Sequence, residues 1–327
     1  MKPTNTYTTY INQYLAIKRS MGITLKTGAS NLLQFARLAA EMNQSPGITK
    51  ELMDTWCEKR PNETNSNRYY RVVYLRQFAN YLSSIGVTSH IPELPKLSSS
   101  FTPYIFSKEQ MESFFIASDQ FRPFQINYNS AYLMMPTLFK VLYATGLRLG
   151  EALALKERDI NLKDKYLIVR QSKNGMERIV PIASTLADVC TKYKEQREYF
   201  TNKPPVTSNL FFIKRNESRC DHKAAYDFFR QILWRIGIAH LGRGFGPRIH
   251  DLRHTFACHA LKAMTESGLD FYQSLPILSN YLGHQSLEAT NKYVRLTAEL
   301  YPDILKAVDS TCAYVFPKIK SIENETN

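Results

Sequence analysis

The stretch GPRIHDLRHTFA at residues 246–257 says most about the fold of this chain. It lies in a segment whose pattern predicts a helix over residues 250–264. On a helix, His250 and Arg253 are three positions apart, so both side chains face one point with Cβ atoms about 5 to 6 Å apart. An H-x-x-R pair alone is common in structural helices, so the rest of the chain must decide its meaning.

Four further segments carry side chains that bind or attack phosphate. They are ATGLRLGE at 144–151, QSKNG at 171–175, YLGHQS at 281–286 and NKYV at 291–294. With the H-x-x-R pair they supply two guanidinium groups, an ammonium, two imidazoles and a phenol. Such a set suits holding a phosphodiester while a tyrosine oxygen attacks it. The six residues are Arg148, Lys173, His250, Arg253, His284 and Tyr293.

In order and spacing, these segments resemble the tyrosine recombinases, the phage integrase family that includes the Xer proteins. Family members carry an arginine in T-G-L-R-x-x-E, a lysine on a hairpin, then H-x-x-R, L-G-H and a tyrosine about nine positions later. Here Tyr293 follows His284 by nine residues. The resemblance covers about residues 104–300 and implies that all six residues are catalytic, with Tyr293 as the nucleophile.

The resemblance also implies a role for each group. Arg148 and Arg253 would clamp the non-bridging phosphate oxygens, because guanidinium groups bind such oxygens in bidentate fashion. His250 would accept the phenolic proton or hydrogen-bond to the phosphate, and His284 would donate a further hydrogen bond. Lys173 would protonate the departing 5′ oxygen. The 3′-phosphotyrosyl product keeps the ester bond energy, so no metal, ATP or other cofactor is expected.

Two acidic residues are interpreted as structural support. Glu151 is suited to orient an arginine from three residues along a helix, and Asp159 occupies the family's usual acidic position after that helix. His254 is interpreted as a packing residue without a catalytic role. Among 20 tyrosines, Tyr281 and Tyr301 compete for the nucleophile's role, but neither follows a glycine-histidine turn at this spacing.

Composition favours a DNA-binding protein with two domains. A chain of 327 residues is long for a single core. The net charge is +13, of which residues 1–103 carry +6, so a polyanion such as double-stranded DNA that contacts both halves would explain the excess. A soluble basic enzyme without DNA is the alternative that charge alone leaves open.

The sequence predicts a cytoplasmic, nucleoid-associated protein without a membrane segment. No apolar run approaches the ~18 residues of a membrane-spanning helix, and the polar start lacks the core of a signal peptide. The five cysteines are odd in number and widely scattered, which favours reduced thiols over a disulfide framework or a zinc site.

Residues 1–90 are predicted to form a helical core-binding, SAM-like DNA-binding domain. Its helices are expected over 10–42, from near Thr49, and over 67–82. In the last of these, Arg71 is placed away from the centre of the apolar stripe. The proline- and serine-rich segment 91–103 is interpreted as a linker.

Residues 104–327 are predicted to form the catalytic domain, with a tail helix from about 299. Ser107 and Gln110 resemble a capping box at its first helix. A hairpin around Asn174-Gly175 should join strands 166–171 and 177–182. Helices are expected over 131–143, 222–239, 250–264, 270–281 and 286–294. The predicted fold class is mainly α with a small antiparallel β-sheet (α+β). The resemblance implies that the two domains form a C-shaped clamp.

The favoured function is a site-specific DNA recombinase, the integrase or transposase of a mobile genetic element. The interval between Arg253 and His284 is longer than in compact family members, and the amino-terminal domain is unfamiliar; both favour a mobile element. The alternatives are an Xer-type dimer resolvase of chromosomes or plasmids, a type IB topoisomerase, and a non-catalytic DNA-binding regulator.

Self-association and further partners follow only from the resemblance. It implies a dimer or tetramer on DNA, in which the tail helix docks on a neighbouring protomer; packing on its own domain is the equal alternative. Accessory DNA-bending or directionality factors are further candidate partners. The target site and the choice between cleavage in cis and in trans stay open.

Overall fold

The computed structural model describes most of the chain, as two compact units, Met1–Thr102 and Pro103–Asn327. The described residues are 6–44, 47–97, 102–121, 131–170, 177–201, 209–239 and 246–284, with Ser286, Thr290, Tyr293, Leu296, Thr297 and Tyr301. Lys173, most of the predicted helix 286–294 and, apart from Tyr301, the predicted tail helix lie outside them. The clamp arrangement stays a prediction.

The first unit contains four described helices. They are α1 (Thr6–Ser20), α2 (Lys26–Glu41), α3 (Lys50–Cys57) and α4 (Asn65–Ser84). As predicted, Thr49 opens α3, and its hydroxyl accepts a hydrogen bond from the Leu52 N–H. Thr64 caps α4 in the same way through the Asn67 N–H. The helices enclose an aromatic core that includes Tyr7, Phe35, Trp56 and Phe78.

Two expectations for this unit are wrong. The helix predicted over 10–42 is broken into α1 and α2 at a turn in which Gly22 has φ +78°. This left-handed conformation ends α1 and is one that glycine adopts without a steric penalty. Arg71 does not point away from the core; its side chain is only 3% exposed and forms an ion pair with Glu63.

The second unit is helical with one small sheet, as predicted. Its helices are α5 (Lys108–Asp119), α6 (Met135–Thr145), α7 (Leu149–Ala152), α8 (Ser184–Thr201), α9 (His222–Arg235), α10 (Ile249–Glu266) and α11 (Phe271–Leu282). The antiparallel sheet has the order β1 (Ile160–Asn161), β2 (Tyr166–Val169), β3 (Arg178–Pro181). In the described ranges, no helix is long and apolar enough to cross a membrane.

Local signals set several helix ends in this unit. The capping box of Ser107 and Gln110 opens α5 as predicted. Pro136 lies in the first turn of α6, where a missing N–H costs nothing, and Gly146 ends this helix with φ +60°. Strand β1 and helix α8 were not predicted. The buried residues of α8 follow a helical spacing of three and four, at Leu186, Cys190, Tyr193 and Arg197.

Two apolar clusters support the part of the unit that carries the predicted site. The larger one contains Phe106, Phe114, Phe139 and Phe229, whose rings meet edge to face or tilted. The smaller one joins α10 and α11 to Tyr293 through Ala257, Cys258, Leu261, Leu278 and Leu282. Tyr293 is therefore held against the helix that carries the H-x-x-R pair.

Candidate active site

The turn after α6 strongly favours glycine at position 146. Gly146 has φ +60°, and a Cβ there would lie 2.6 Å from Cδ1 of Phe256 and 2.8 Å from Cδ2 of Leu282. The turn sets Arg148 at the start of α7, with a side chain 27% exposed. It also presents the Gly146 carbonyl oxygen to Arg253.

The guanidinium of Arg253 is buried and anchored by backbone oxygens from two other segments. Its Nη1 donates to the Gly146 carbonyl at 2.7 Å, and its Nη2 donates to the Leu282 carbonyl at 2.8 Å. Burial, together with the positive charge of Arg148, lowers the pKa of Arg253 to about 10. Arg253 is thus still protonated at neutral pH and fixed in direction.

His284 connects this guanidinium to Thr290. Its Nε2 lies 3.0 Å from Nη2 of Arg253, and its Nδ1 lies 2.8 Å from the Thr290 hydroxyl oxygen. Because a guanidinium can only donate, Nε2 must accept, which assigns the proton of neutral His284 to Nδ1. Thr290 therefore accepts from the ring and holds it in this tautomer.

The Tyr293 side chain is buried against these groups. Its hydroxyl lies 3.1 Å from Nδ1 of His254 and hydrogen-bonds to Arg253. Its ring stacks on that of His284, with centroids 6.1 Å apart. Burial raises the pKa of Tyr293 to about 12, although the charge of Arg253 acts in the opposite direction.

Of the two histidines at the start of α10, His254 contacts the phenol. His250 is exposed, one turn earlier, and its ring meets that of His254 at a centroid distance of 4.7 Å. From sequence alone, His254 was interpreted as a packing residue only. Its spacing of four from His250 places both rings on one face of the helix, which is the signal that could have identified it.

Glu151 holds two arginines at once. Its carboxylate accepts from the Arg148 backbone N–H at 3.1 Å, from Nη1 of Arg148 at 2.8 Å and from Nη2 of Arg178 at 2.8 Å. Burial acts to raise the pKa of Glu151, but the hydrogen bonds from Arg178 and Arg148 outweigh it and the pKa lies below its ordinary value. Arg178 was not singled out from the sequence.

The remaining predicted residues lie around this centre or outside the described residues. Asp159 is buried and accepts from Nε of Arg170 at 2.7 Å, an arrangement that fits its predicted supporting role. The Tyr281 hydroxyl donates to the Pro181 carbonyl at 3.2 Å, and Lys262 lies over the ring of Tyr301. Within the described segments, no group of three or more histidine, cysteine or acidic side chains could hold a metal ion.

The structure thus joins Arg253, His284 and Tyr293 by direct contacts. Arg148 is close enough for its charge to affect the pKa of both Arg253 and Tyr293. The sequence profile of the phage integrase family matches residues 105–299. The chain belongs to this family. It is therefore a tyrosine recombinase, an enzyme that cleaves and rejoins DNA strands.

Sequence similarity to known relatives extends over most of this recombinase. It is 31% identical to the integrase/recombinase-type protein y4rB of Sinorhizobium fredii, over 93% of this chain and 98% of that protein. It is 28% identical to the tyrosine recombinase XerD of Listeria monocytogenes, over 79% of this chain and 85% of XerD. The similarity therefore extends into the amino-terminal unit.

Solved structures share the fold of this recombinase. The XerH site-specific recombinase bound to a palindromic difH substrate, in a post-cleavage complex, aligns with a TM-score of 0.62 and 18% identity, over 88% of this chain and 78% of XerH. The Tn1549 transposon integrase, in complex with transposon right-end DNA, aligns with a TM-score of 0.63 and 16% identity, over 93% and 99% of the chains.

Proposed function

We propose that this recombinase cuts one strand of double-stranded DNA with Tyr293 and rejoins it through a 3′-phosphotyrosyl intermediate. One observation carries the proposal: Arg253 contacts the Tyr293 hydroxyl and the His284 ring simultaneously. A phosphate that reaches this guanidinium would meet a nucleophile, and His284 would donate to it from Nε2 after a change of tautomer in which the Thr290 hydroxyl donates to Nδ1. Cations placed where negative charge develops stabilise such a transition state.

In the proposed step, the Tyr293 oxygen forms a bond to phosphorus and the bond from phosphorus to the 5′ oxygen breaks. The contacts to Gly146, Leu282, His284 and the Tyr293 oxygen engage four of the five N–H groups of Arg253, which leaves one to bind a non-bridging oxygen. Arg148 would bind the second non-bridging oxygen, and Lys173 would protonate the departing 5′ oxygen. Attack by a 5′ hydroxyl of a partner strand would reverse the step.

The phenolic proton needs an acceptor, and His254 is the best placed. With the ring proton of His254 on Nε2, its Nδ1 would accept the Tyr293 hydroxyl proton while Arg253 donates to the Tyr293 oxygen. With a pKa of about 12, ionising Tyr293 at pH 7 costs about 7 kcal/mol. Proton transfer therefore has to accompany attack on a bound phosphate. The exposed His250 would hydrogen-bond to the phosphate instead.

The partner that this site supports is double-stranded DNA. The net charge of +13 is shared by both parts of the chain, and a phosphate backbone is the polyanion that would neutralise it. The related folds of XerH and the Tn1549 integrase are of proteins bound to DNA. We extend the proposal to a dimer or tetramer on DNA, since exchange needs strands from two duplexes.

The biological role we propose is that of an integrase or transposase of a mobile element. The similarity to y4rB along almost the whole chain supports it, as does the long connection between Arg253 and His284. The second candidate is an Xer-type resolvase, which the similarity to XerD over 85% of that protein favours. The two roles differ in where on the genome the enzyme cuts.

A suicide substrate tests the chemistry. A duplex nicked just beyond the scissile phosphate loses its 5′ leaving strand after cleavage, so the covalent protein–DNA adduct accumulates and is seen by denaturing electrophoresis. We expect wild type and Tyr301→Phe to form the adduct and Tyr293→Phe to form none. If Tyr293→Phe still becomes attached to DNA, Tyr293 is not the nucleophile.

Sequencing the trapped DNA tests the biological role. Adducts are collected from cells that carry the wild-type chain and from a matched Tyr293→Phe strain, and the attached DNA is sequenced. A mobile-element enzyme should be found at the two ends of one element and at their junction. Recovery of a single chromosomal site, without element ends, would reject the integrase role in favour of a resolvase.

A further inference from the structure

We infer that Arg178 is a positioning residue of this recombinase, which orients Arg148 through Glu151 and fixes the turn that precedes His284. The inference rests on the proposed function, in which Arg148 and His284 bind the scissile phosphate. It concerns a side chain outside the six predicted catalytic residues. The geometry that points to it involves described residues only.

Arg178 is placed by the sheet. It is the first residue of β3 and pairs with Val169, the last residue of β2. Its side chain is only 11% exposed, so it does not point freely into solvent. A buried guanidinium needs compensating partners, and their identity shows what Arg178 does.

The first partner of Arg178 is Glu151. Nη2 of Arg178 lies 2.8 Å from Oε2 of Glu151, while Oε1 of the same carboxylate accepts from Nη1 of Arg148 at 2.8 Å. One buried carboxylate thus lies between two guanidinium groups. Arg178 keeps Glu151 ionised and fixes the direction of its carboxylate, because Nη2 donates to Oε2 at 2.8 Å and Nη1 donates to Oε1 at 3.5 Å.

The second partner is the end of α11. Nε of Arg178 donates to the Tyr281 carbonyl at 3.2 Å. A Cβ on Gly283 would lie 3.1 Å from Cδ and Nη1 of Arg178, so the turn before His284 packs directly on this side chain. The same guanidinium therefore sets both the Arg148 side and the His284 side of the site.

Loss of Arg178 should weaken phosphate binding in the transition state. With a suicide substrate, we expect Arg178→Gln to lower the rate of adduct formation about 100-fold, the effect of misplacing catalytic groups by about 1 Å. Arg178→Lys should recover little, since an ammonium cannot bond to Glu151 and the Tyr281 carbonyl in the same geometry. Arg230→Gln is the matched control, because Arg230 is an exposed arginine on α9 of the same unit.

A substrate with one non-bridging oxygen replaced by methyl distinguishes positioning from mere structural support. The neutral methylphosphonate carries less negative charge for guanidinium groups to stabilise. On this substrate, the loss of rate caused by Arg148→Ala and by Arg178→Gln should therefore be smaller by at least about 10-fold. A purely structural defect would slow both substrates by the same factor. Equal slowing of Arg178→Gln on the two substrates would therefore overturn the inference.

A double-mutant cycle tests the route through Glu151. If Arg178 acts through this carboxylate, Glu151→Gln and Arg178→Gln should together slow adduct formation by little more than either alone. Multiplying effects would reject that route. Failure of the wild type to form any adduct would contradict the proposed function itself, whereas a normal rate for Arg178→Gln would contradict only this inference.

Discussion

Nδ1 of His254 lies 3.1 Å from the Tyr293 hydroxyl oxygen, and both side chains are buried. The family pattern directs attention to His250, which is exposed on the same face one turn earlier. With the ring proton of His254 on Nε2, its Nδ1 accepts the phenolic O–H while Arg253 donates to the phenol oxygen. The side chain placed to accept this proton is therefore the residue after the H-x-x-R motif.

Replacing either histidine by asparagine separates their roles. Asparagine at position 254 keeps a hydrogen-bonding group near Nδ1 but cannot take up the proton. We expect His254→Asn to slow adduct formation about 100-fold, whereas His250→Asn should slow it much less. The reverse pattern would assign the proton to His250.

Gly146 offers a test of the turn that supports Arg253. Alanine there meets both an unfavourable φ of +60° and side chains at 2.6 and 2.8 Å, whereas alanine at Gly237, φ +72°, meets no atom within 4 Å. Gly237→Ala should cost about 1 to 2 kcal/mol of unfolding free energy from backbone strain alone. Gly146→Ala should cost about 1 to 3 kcal/mol more and slow adduct formation. Equal losses in urea titrations would show that the close approach has no consequence.

Local signals made much of the fold predictable. Thr49, the Ser107–Gln110 pair and Gly146 set helix ends through interactions within one turn of chain, which a sequence displays directly. Helix α8 was not predicted because its surface is mostly polar and because one of its buried residues is Arg197, a residue type that is rarely found in a core. The break between α1 and α2 at Gly22 was not predicted because apolar positions continue on both sides of it.

The identity of the site residues was more predictable than their contacts. Order and spacing select Arg253, but its anchors are the carbonyls of Gly146 and Leu282, which lie 107 and 29 positions away in sequence. A sequence motif cannot identify which backbone carbonyls act as acceptors, because every residue has one. The link from Arg178 to Glu151 depends equally on tertiary packing, so only the folded chain reveals it.

Asp251, between His250 and Arg253, should make stability depend on pH. Its carboxyl accepts the Arg248 N–H at 2.8 Å, yet burial raises the pKa of Asp251 to about 6. Since the unfolded value is about 3.9, the folded state binds more protons between these values and loses stability as pH rises through them. Above pH 6 the charged group therefore costs the folded state about 3 kcal/mol.

Asp251→Asn removes that charge while keeping an acceptor for the Arg248 N–H. In urea titrations of the full chain, the variant and wild type should have similar unfolding free energies near pH 4. As pH rises, wild type should lose stability while the variant does not, so the variant should be more stable than wild type by up to about 3 kcal/mol at pH 7. A difference that does not change between pH 4 and pH 7 would mean that Asp251 titrates normally in the folded protein.

Arg71 is expected to determine the stability of the amino-terminal unit. Its guanidinium donates to the Trp56 carbonyl, to the Glu58 carbonyl at 2.8 Å and to both carboxylate oxygens of Glu63 at 2.8 and 2.7 Å. It thereby joins the end of α3 to α4. Arg71→Met would leave these acceptors largely buried and unpaired, so we expect a loss of about 3 to 5 kcal/mol of unfolding free energy.

The fluorescence of Trp56 can be used to measure unfolding of the amino-terminal unit. The chain has two tryptophans, and in a Trp234→Phe background the fluorescence of the buried Trp56 reports unfolding of this unit within the full chain. The matched control is Arg76→Met, five positions along α4 on an exposed surface, which should change the unfolding free energy by about 0.5 kcal/mol or less. Because Arg71 acts by bonding to buried oxygens and not by its charge alone, Arg71→Lys should recover only part of the loss. Equal unfolding midpoints for Arg71→Met and Arg76→Met would show that the buried network contributes nothing to stability.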